Sequence, residues 1–167
     1  DPQHSPNPAK SAWYFSGLQE LLLHMHPLAA MALVVLVLGA LAFLPRLDRS
    51  EAAVGVYFRS AVGRKAALVG ALLAVYLAPL LVVADEYWLD IAGWLPDWPL
   101  LVTTGLIPLL LTLGGLAGIY ALLRRALKAN HSETVVGLFA LLAAGLILLT
   151  ITGVYFRGPN MALVLPF

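Results

Sequence analysis

Residues 13–25, WYFSGLQELLLHM, carry the pattern in this chain that points most directly to proton chemistry. Glu20 and His24 stand four residues apart, within reach of each other on one helix. A carboxylate beside an imidazole can accept and pass protons near neutral pH. Ser16 falls at the same spacing, so Ser16, Glu20 and His24 share one side. Tyr14, Phe15, Leu18, Leu21, Leu22 and Met25 form an apolar face. The segment reads as an interfacial amphipathic helix on the outer leaflet of a membrane. The plainer alternative is a solvated polar face, with Trp13 and Tyr14 in the aromatic belt where lipid meets water.

Other chemistry finds less support. The histidines are His4, His24, His26 and His131, and none lies inside an apolar run, so no pair can clamp a haem within the bilayer. No HExxH or Cys/His spacing supports zinc, and no metal is expected. The absence of cysteine excludes disulfides, thiolate metal sites and covalent c-type haem attachment. Asp85 and Glu86 close the second apolar run and read as interface anchors. The spans hold no ionisable residue away from their ends, which argues against a transporter or channel.

These residues are set among long apolar runs. The chain has 167 residues, 61% hydrophobic and 11% charged, with a mean hydropathy of +0.89. An ordinary soluble domain is nearer half apolar and a quarter charged. The expected fold is an all-α integral membrane protein, with about four transmembrane helices preceded by the outer-side interfacial helix. Residues 1–26 form the lead and interfacial helix, and 27–167 a membrane domain with spans at 27–44, 66–84, 100–123 and 134–156. Pro27 suits a first helical position and Pro45 ends the first run. Gly114, Gly115 and Gly118 are expected to let helices approach closely. Pro79 and Pro108 are expected to kink their helices, with a ligand-binding break as the alternative.

Arg46, Arg49, Arg59, Arg64, Lys65, Arg124, Arg125 and Lys128 fall in the first and third loops, leaving Lys10 and Arg157 for the other side. The positive-inside rule puts both basic loops in the cytoplasm, and both termini outside with the acidic, aromatic loop 85–99. No basic tract suggests nucleic acid. The chain begins at Asp1 with no initiator Met and no signal-peptide pattern, and reads there as a processed or a fragment end.

"NPAKSAWYFSGLQELL", residues 7–22, resembles the start of the C-terminal half of cytochrome b, the part that forms a separate subunit IV in split quinol oxidoreductases. Asp1 to Pro8 matches the family's lead, and Ser11 to Phe15 sits at its Pro-Glu-Trp-Tyr motif. "FLPRLDRS" resembles the family's exit from the following helix, and "YFRSAVGRK" and the tail "YFRGPNMALVLPF" are similar to a bacterial branch of bc-type complexes. The likeness covers residues 7–65 and the tail; the middle agrees in character alone.

The resemblance implies a bacterial cytoplasmic (inner) membrane subunit that helps form an outer-side quinol oxidation site. The substrate would be menaquinol or ubiquinol. Haem b would sit in a separate cytochrome b N-terminal-like partner, with Rieske or cytochrome c-type subunits and lipid as further partners. Trp13, Tyr14 and Phe15 would wall the quinone site. The family's proton-accepting glutamate falls at Ala12, which cannot take a proton. Glu20, with His24, would supply the base instead, although eight residues of helix, about 12 Å, separate it from Ala12. Otherwise quinol is oxidised elsewhere in the complex. Glu20→Gln is expected to slow quinol oxidation and leave assembly intact. The competing function is a structural membrane anchor without quinone chemistry of its own.

Overall fold

A computed structural model describes residues 10–47 and 60–164, with side chains at 10–43 and 60–164. His4, the lead 1–8 and the loop positions Arg49 and Arg59 lie outside the described residues, as does the Arg46 side chain. The described chain is helical: α1 Trp13–His24, α2 Pro27–Leu47, α3 Ala61–Tyr87, a single turn α4 Ile91–Trp94, α5 Ile107–Ala126 and α6 His131–Ile151. Two π-helical turns extend this set. Val102–Leu106 leads into α5 and Thr152–Phe156 continues α6. Among the described residues β pairing is limited to one antiparallel bridge, Arg157 with Leu163.

Three helices are long and apolar enough to cross a membrane: Ala61–Tyr87, Val102–Ala126 and His131–Phe156. Pro27–Phe43 is a shorter apolar helix. Large apolar side chains lie on the outside of all of them, among them Leu36 and Leu38, Leu72 and Tyr76, Leu110 and Leu111, and Leu146 and Ile147. Such a girdle is unfavourable in water and suits hydrocarbon or a protein partner.

Local chemistry sets the helix ends. Ser60 caps α3 by accepting from the Gly63 N–H at 3.1 Å. Asn130 and Glu133 form a reciprocal capping box at the start of α6. Glu133 also receives the Ser60 hydroxyl, tying the starts of α3 and α6 together. These two helices therefore run parallel, side by side. Gly70 and Gly137 allow it: a Cβ on Gly70 would overlap the Gly137 carbonyl, and one on Gly137 would lie 3.0 Å from the Ala66 carbonyl oxygen. The close approach expected at Gly114, Gly115 and Gly118 is not there; a Cβ at each would meet open space. The reason is geometric: α3 and α6 meet along their own glycines, and these three stand on the free side of α5.

The α2 side has its own small core of Met25, Ala29, Ala30 and Leu33, packed against Leu21, Val37, Leu109 and Leu113. Pro79 lies inside α3. Pro108 lies in the first turn of α5, directly after a π-turn. It has no N–H to return to the Thr104 carbonyl four residues earlier. That carbonyl accepts the His26 N–H at 2.7 Å, fixing the link between α1 and α2.

Candidate functional site

The helix expected over residues 13–25 forms as α1, one residue shorter, and ends where Met25 turns extended. It packs by the side expected to face water. Ser16 and Glu20 are 2% and 0% exposed, whereas Trp13, Tyr14 and Phe15 are 71%, 65% and 55% exposed. Small residues make this possible. A Cβ on Gly17 would meet Leu146 and Thr150 of α6, and one on Gly153 would lie 2.9 Å from the Ser16 carbonyl oxygen. Burying Glu20 as an anion requires a paired cation, and the fold supplies one.

The cation is Arg157. The π-turn Thr152–Phe156 carries the chain past Gly153 and delivers Arg157 extended, at φ −102° and ψ 122°. A tight turn then folds back on it. Gly158 N–H donates to the Ala162 carbonyl at 2.9 Å and Val164 N–H to the Phe156 carbonyl at 2.8 Å. Asn160 and Met161 take left-handed φ values of 57° and 59° within this turn. Arg157 Nε donates to both Glu20 oxygens at 3.0 Å, and Nη2 to Oε1 at 2.5 Å. Nη1 donates to Glu86 Oε2 at 2.7 Å and to the Met161 carbonyl at 2.9 Å. Arg157 is itself 3% exposed.

His24 stands on the other side of Glu20. Its Nε2 lies 3.2 Å from Glu20 Oε1, the four-residue pair expected from sequence, and its Nδ1 lies 2.6 Å from Asp85 Oδ2. Five charged or titratable side chains from α1, the end of α3 and the turn after α6 thus form one network. Burial by itself lowers the basicity of His24; hydrogen bonds to Glu20 and Asp85 and their negative charge outweigh it and hold the imidazole above its ordinary value. Burial pushes Glu20 up, but His24 and Arg157 donate to its carboxylate and hold it below its ordinary value.

His24 and Asp85 also line an open cleft of about 350 Å³. Its polar wall adds His26, Asp90, Thr103 and Thr104, and its apolar wall Leu23, Met25, Leu89, Ile91 and Pro108. Glu20 sits behind His24, away from the cleft. Trp13, Tyr14 and Phe15 lie on the first turn of α1, about 15 Å along the helix from His24, and form a row of their own, Trp13 edge-to-face with Tyr14 and Tyr14 tilted against Phe15. The structure therefore joins Glu20 to His24 and separates both from the aromatic trio. Among the described residues no group of three or more His, Asp or Glu side chains stands together as metal ligands would.

Sequence reasoning treated Asp85 and Glu86 as interface anchors and gave Arg157 no role. A signal was present. Arg157 and Lys10 are the two bases outside the basic loops, and Arg157 closes its apolar run on the side of the membrane that the charge pattern also assigns to Asp85 and Glu86. No protein-family model, curated protein or solved structure matches the chain.

Proposed function

We propose that the chain is a four-span membrane subunit of a bacterial electron-transfer complex, similar to the C-terminal half of cytochrome b, and that its cleft receives a quinol head group. The observation that carries this is His24, held at the cleft wall between two carboxylates by both ring nitrogens. With His24 neutral, a quinol hydroxyl takes the place of the Asp85 carboxylate at Nδ1 and gives up its proton there: the O–H bond breaks, an N–H bond forms, and Asp85, 36% exposed, on returning to Nδ1 offers the way out to solvent. Complete oxidation releases two protons and two electrons. Haem b of a partner subunit and a high-potential iron–sulfur or c-type haem centre would accept the electrons. Leu23, Met25, Leu89 and Ile91 suit the apolar ring and tail. The base is therefore His24 with Asp85, and Glu20 supports it from behind.

Supporting the membrane placement, three helices have the length and apolar composition of a crossing, and the shorter apolar helix Pro27–Phe43 covers about 25 Å, most of the hydrocarbon layer. The charge distribution favours an outer-side cleft, where released protons belong.

The test is quinol oxidation by the detergent-purified native assembly, with a redox difference spectrum and mass spectrometry of every chain present. A b-type haem spectrum is expected. Wild-type turnover should rise with pH as His24 loses its proton, and His24→Asn should lose that limb and at least about tenfold of the rate. A haem-free preparation without quinol activity defeats the proposal. The second reading is a structural anchor, favoured by Ala12 at the position of the family's base and by the way Arg157 staples three elements together. It predicts quinol turnover indifferent to His24→Asn.

A further inference from the structure

Two groups could hold a proton beside the cleft, the buried Glu20 and the half-buried His24, and they share one contact of 3.2 Å. Arg157 touches only one of them. We infer that Arg157 is a positioning residue: by gripping the Glu20 carboxylate it confines that group to its anionic form and makes His24 the group that gains and loses the proton at the cleft. The inference deepens the quinol reading and rests on it for its purpose, though not for its geometry.

A guanidinium has donors and no acceptor. Nε and Nη2 of Arg157 engage both oxygens of Glu20. Protonating Glu20 would set an O–H against those donors or break one of the bonds. Carboxylates likewise only accept when ionised. His24 presents Nε2 to Glu20 and Nδ1 to Asp85, so an imidazolium satisfies both contacts. A neutral ring leaves one bare nitrogen facing a carboxylate oxygen. The proton therefore resides on the imidazole, between a buried anion and an anion open to solvent.

The grip is over-determined. Glu86 and the Met161 carbonyl hold Nη1, the Arg157–Leu163 bridge holds the backbone, and the left-handed Asn160 and Met161 close the turn beneath. The groups facing His24 are Glu20 from its own helix and Asp85 from α3. His26 and Asp90 line the same cleft, and Arg157 with Glu86 lies behind Glu20. Without Arg157, the buried Glu20 takes up a proton, and His24 loses one of its two anions.

The test reads the protonation of His24 directly. Diethyl pyrocarbonate acylates neutral imidazole, and mass spectrometry gives its rate at His24 as a function of pH in the purified native assembly. His131, at the far end of the bundle, is the internal control. Replacing both partners, Glu20→Met with Arg157→Met, leaves no buried unpaired charge and preserves the fold. The midpoint for His24 is expected to fall by about one pH unit or more in this variant, as loss of a close opposite charge requires. The His131 midpoint stays in place. Arg157→Met alone, with Glu20 retained, is the second variant: Glu20 then takes up a proton and the His24 midpoint should move the same way. An unshifted His24 midpoint in a folded variant overturns the inference and leaves Arg157 a packing residue. Quinol turnover measured alongside separates the two claims. A wild-type assembly without quinol activity defeats the proposed function, and the His24 midpoint still decides the role of Arg157.

Discussion

The two ends of the helix bundle use the same side chains under opposite conditions. At the acidic end, Arg157, Glu20 and His24 meet below the surface, and each is held by partners from another element. At the basic end, Arg124 donates to the Tyr120 hydroxyl at 3.3 Å, and that hydroxyl lies 2.7 Å from His131 Nδ1, all exposed. An exposed arginine has water to fall back on, and its pairing contributes little. A buried one has none, and the fold must satisfy it completely. The difference teaches that charge position along the chain says less than what covers it.

The comparison can be broken by substitution. Arg157→Met should cost about 3–5 kcal/mol, because Glu20 is left buried and unpaired. Thermal unfolding of the detergent-purified assembly checks this, and the Glu20→Met, Arg157→Met pair should recover most of the loss. A single variant as stable as wild type would show that water reaches Glu20. Next in size is Gly137→Leu, where the added side chain meets Ala66 and Leu123. It should cost about 1–3 kcal/mol, whereas Gly115→Leu on the open side of α5 should leave stability nearly unchanged.

Titration sharpens the contrast. The contribution of Glu20 is complete above its ordinary value of 4.5 and is lost as pH falls through its lowered folded value. That of His24 is complete below its ordinary 6.5 and is lost as pH rises through its raised folded value. Stability of the acidic end should therefore be greatest between about pH 4.5 and 6.5. A melting profile against pH checks this, and His24→Asn should remove the decline on the alkaline side. Smallest is Arg124→Ala at the basic end, expected to change stability by less than about 1 kcal/mol in the same melts.

Much of the fold could be read from hydropathy, because each long apolar run has the length of a membrane crossing and meets Pro, Gly or charge at its ends. The i,i+4 pairing of Glu20 with His24 was equally readable, since it is local to one helix. The face that α1 would bury was not. Periodicity assigns polar residues to water, and only a distant cation reverses that assignment. Arg157 lies 137 residues from Glu20. Nothing in local pattern connects them, and Asp85 with Glu86 enters the network from a third segment. Glycine packing failed for a similar reason. Gly114, Gly115 and Gly118 form the more conspicuous cluster, but contact is made by the isolated Gly70 and Gly137, which happen to face each other.

The separation between Glu20 and its clamp also fixes an order of events. A chain is synthesised from its N-terminus, and early segments fold as they emerge. α1 precedes the other described helices, and Arg157 appears only after the three long apolar helices Ala61–Tyr87, Val102–Ala126 and His131–Phe156. Until then the carboxylate has no countercharge and α1 has no reason to dock by its polar face. Closure of the acidic end therefore waits for all three of these helices and reports that they have been made. A product truncated before Arg157 would keep its apolar helices and leave α1 undocked.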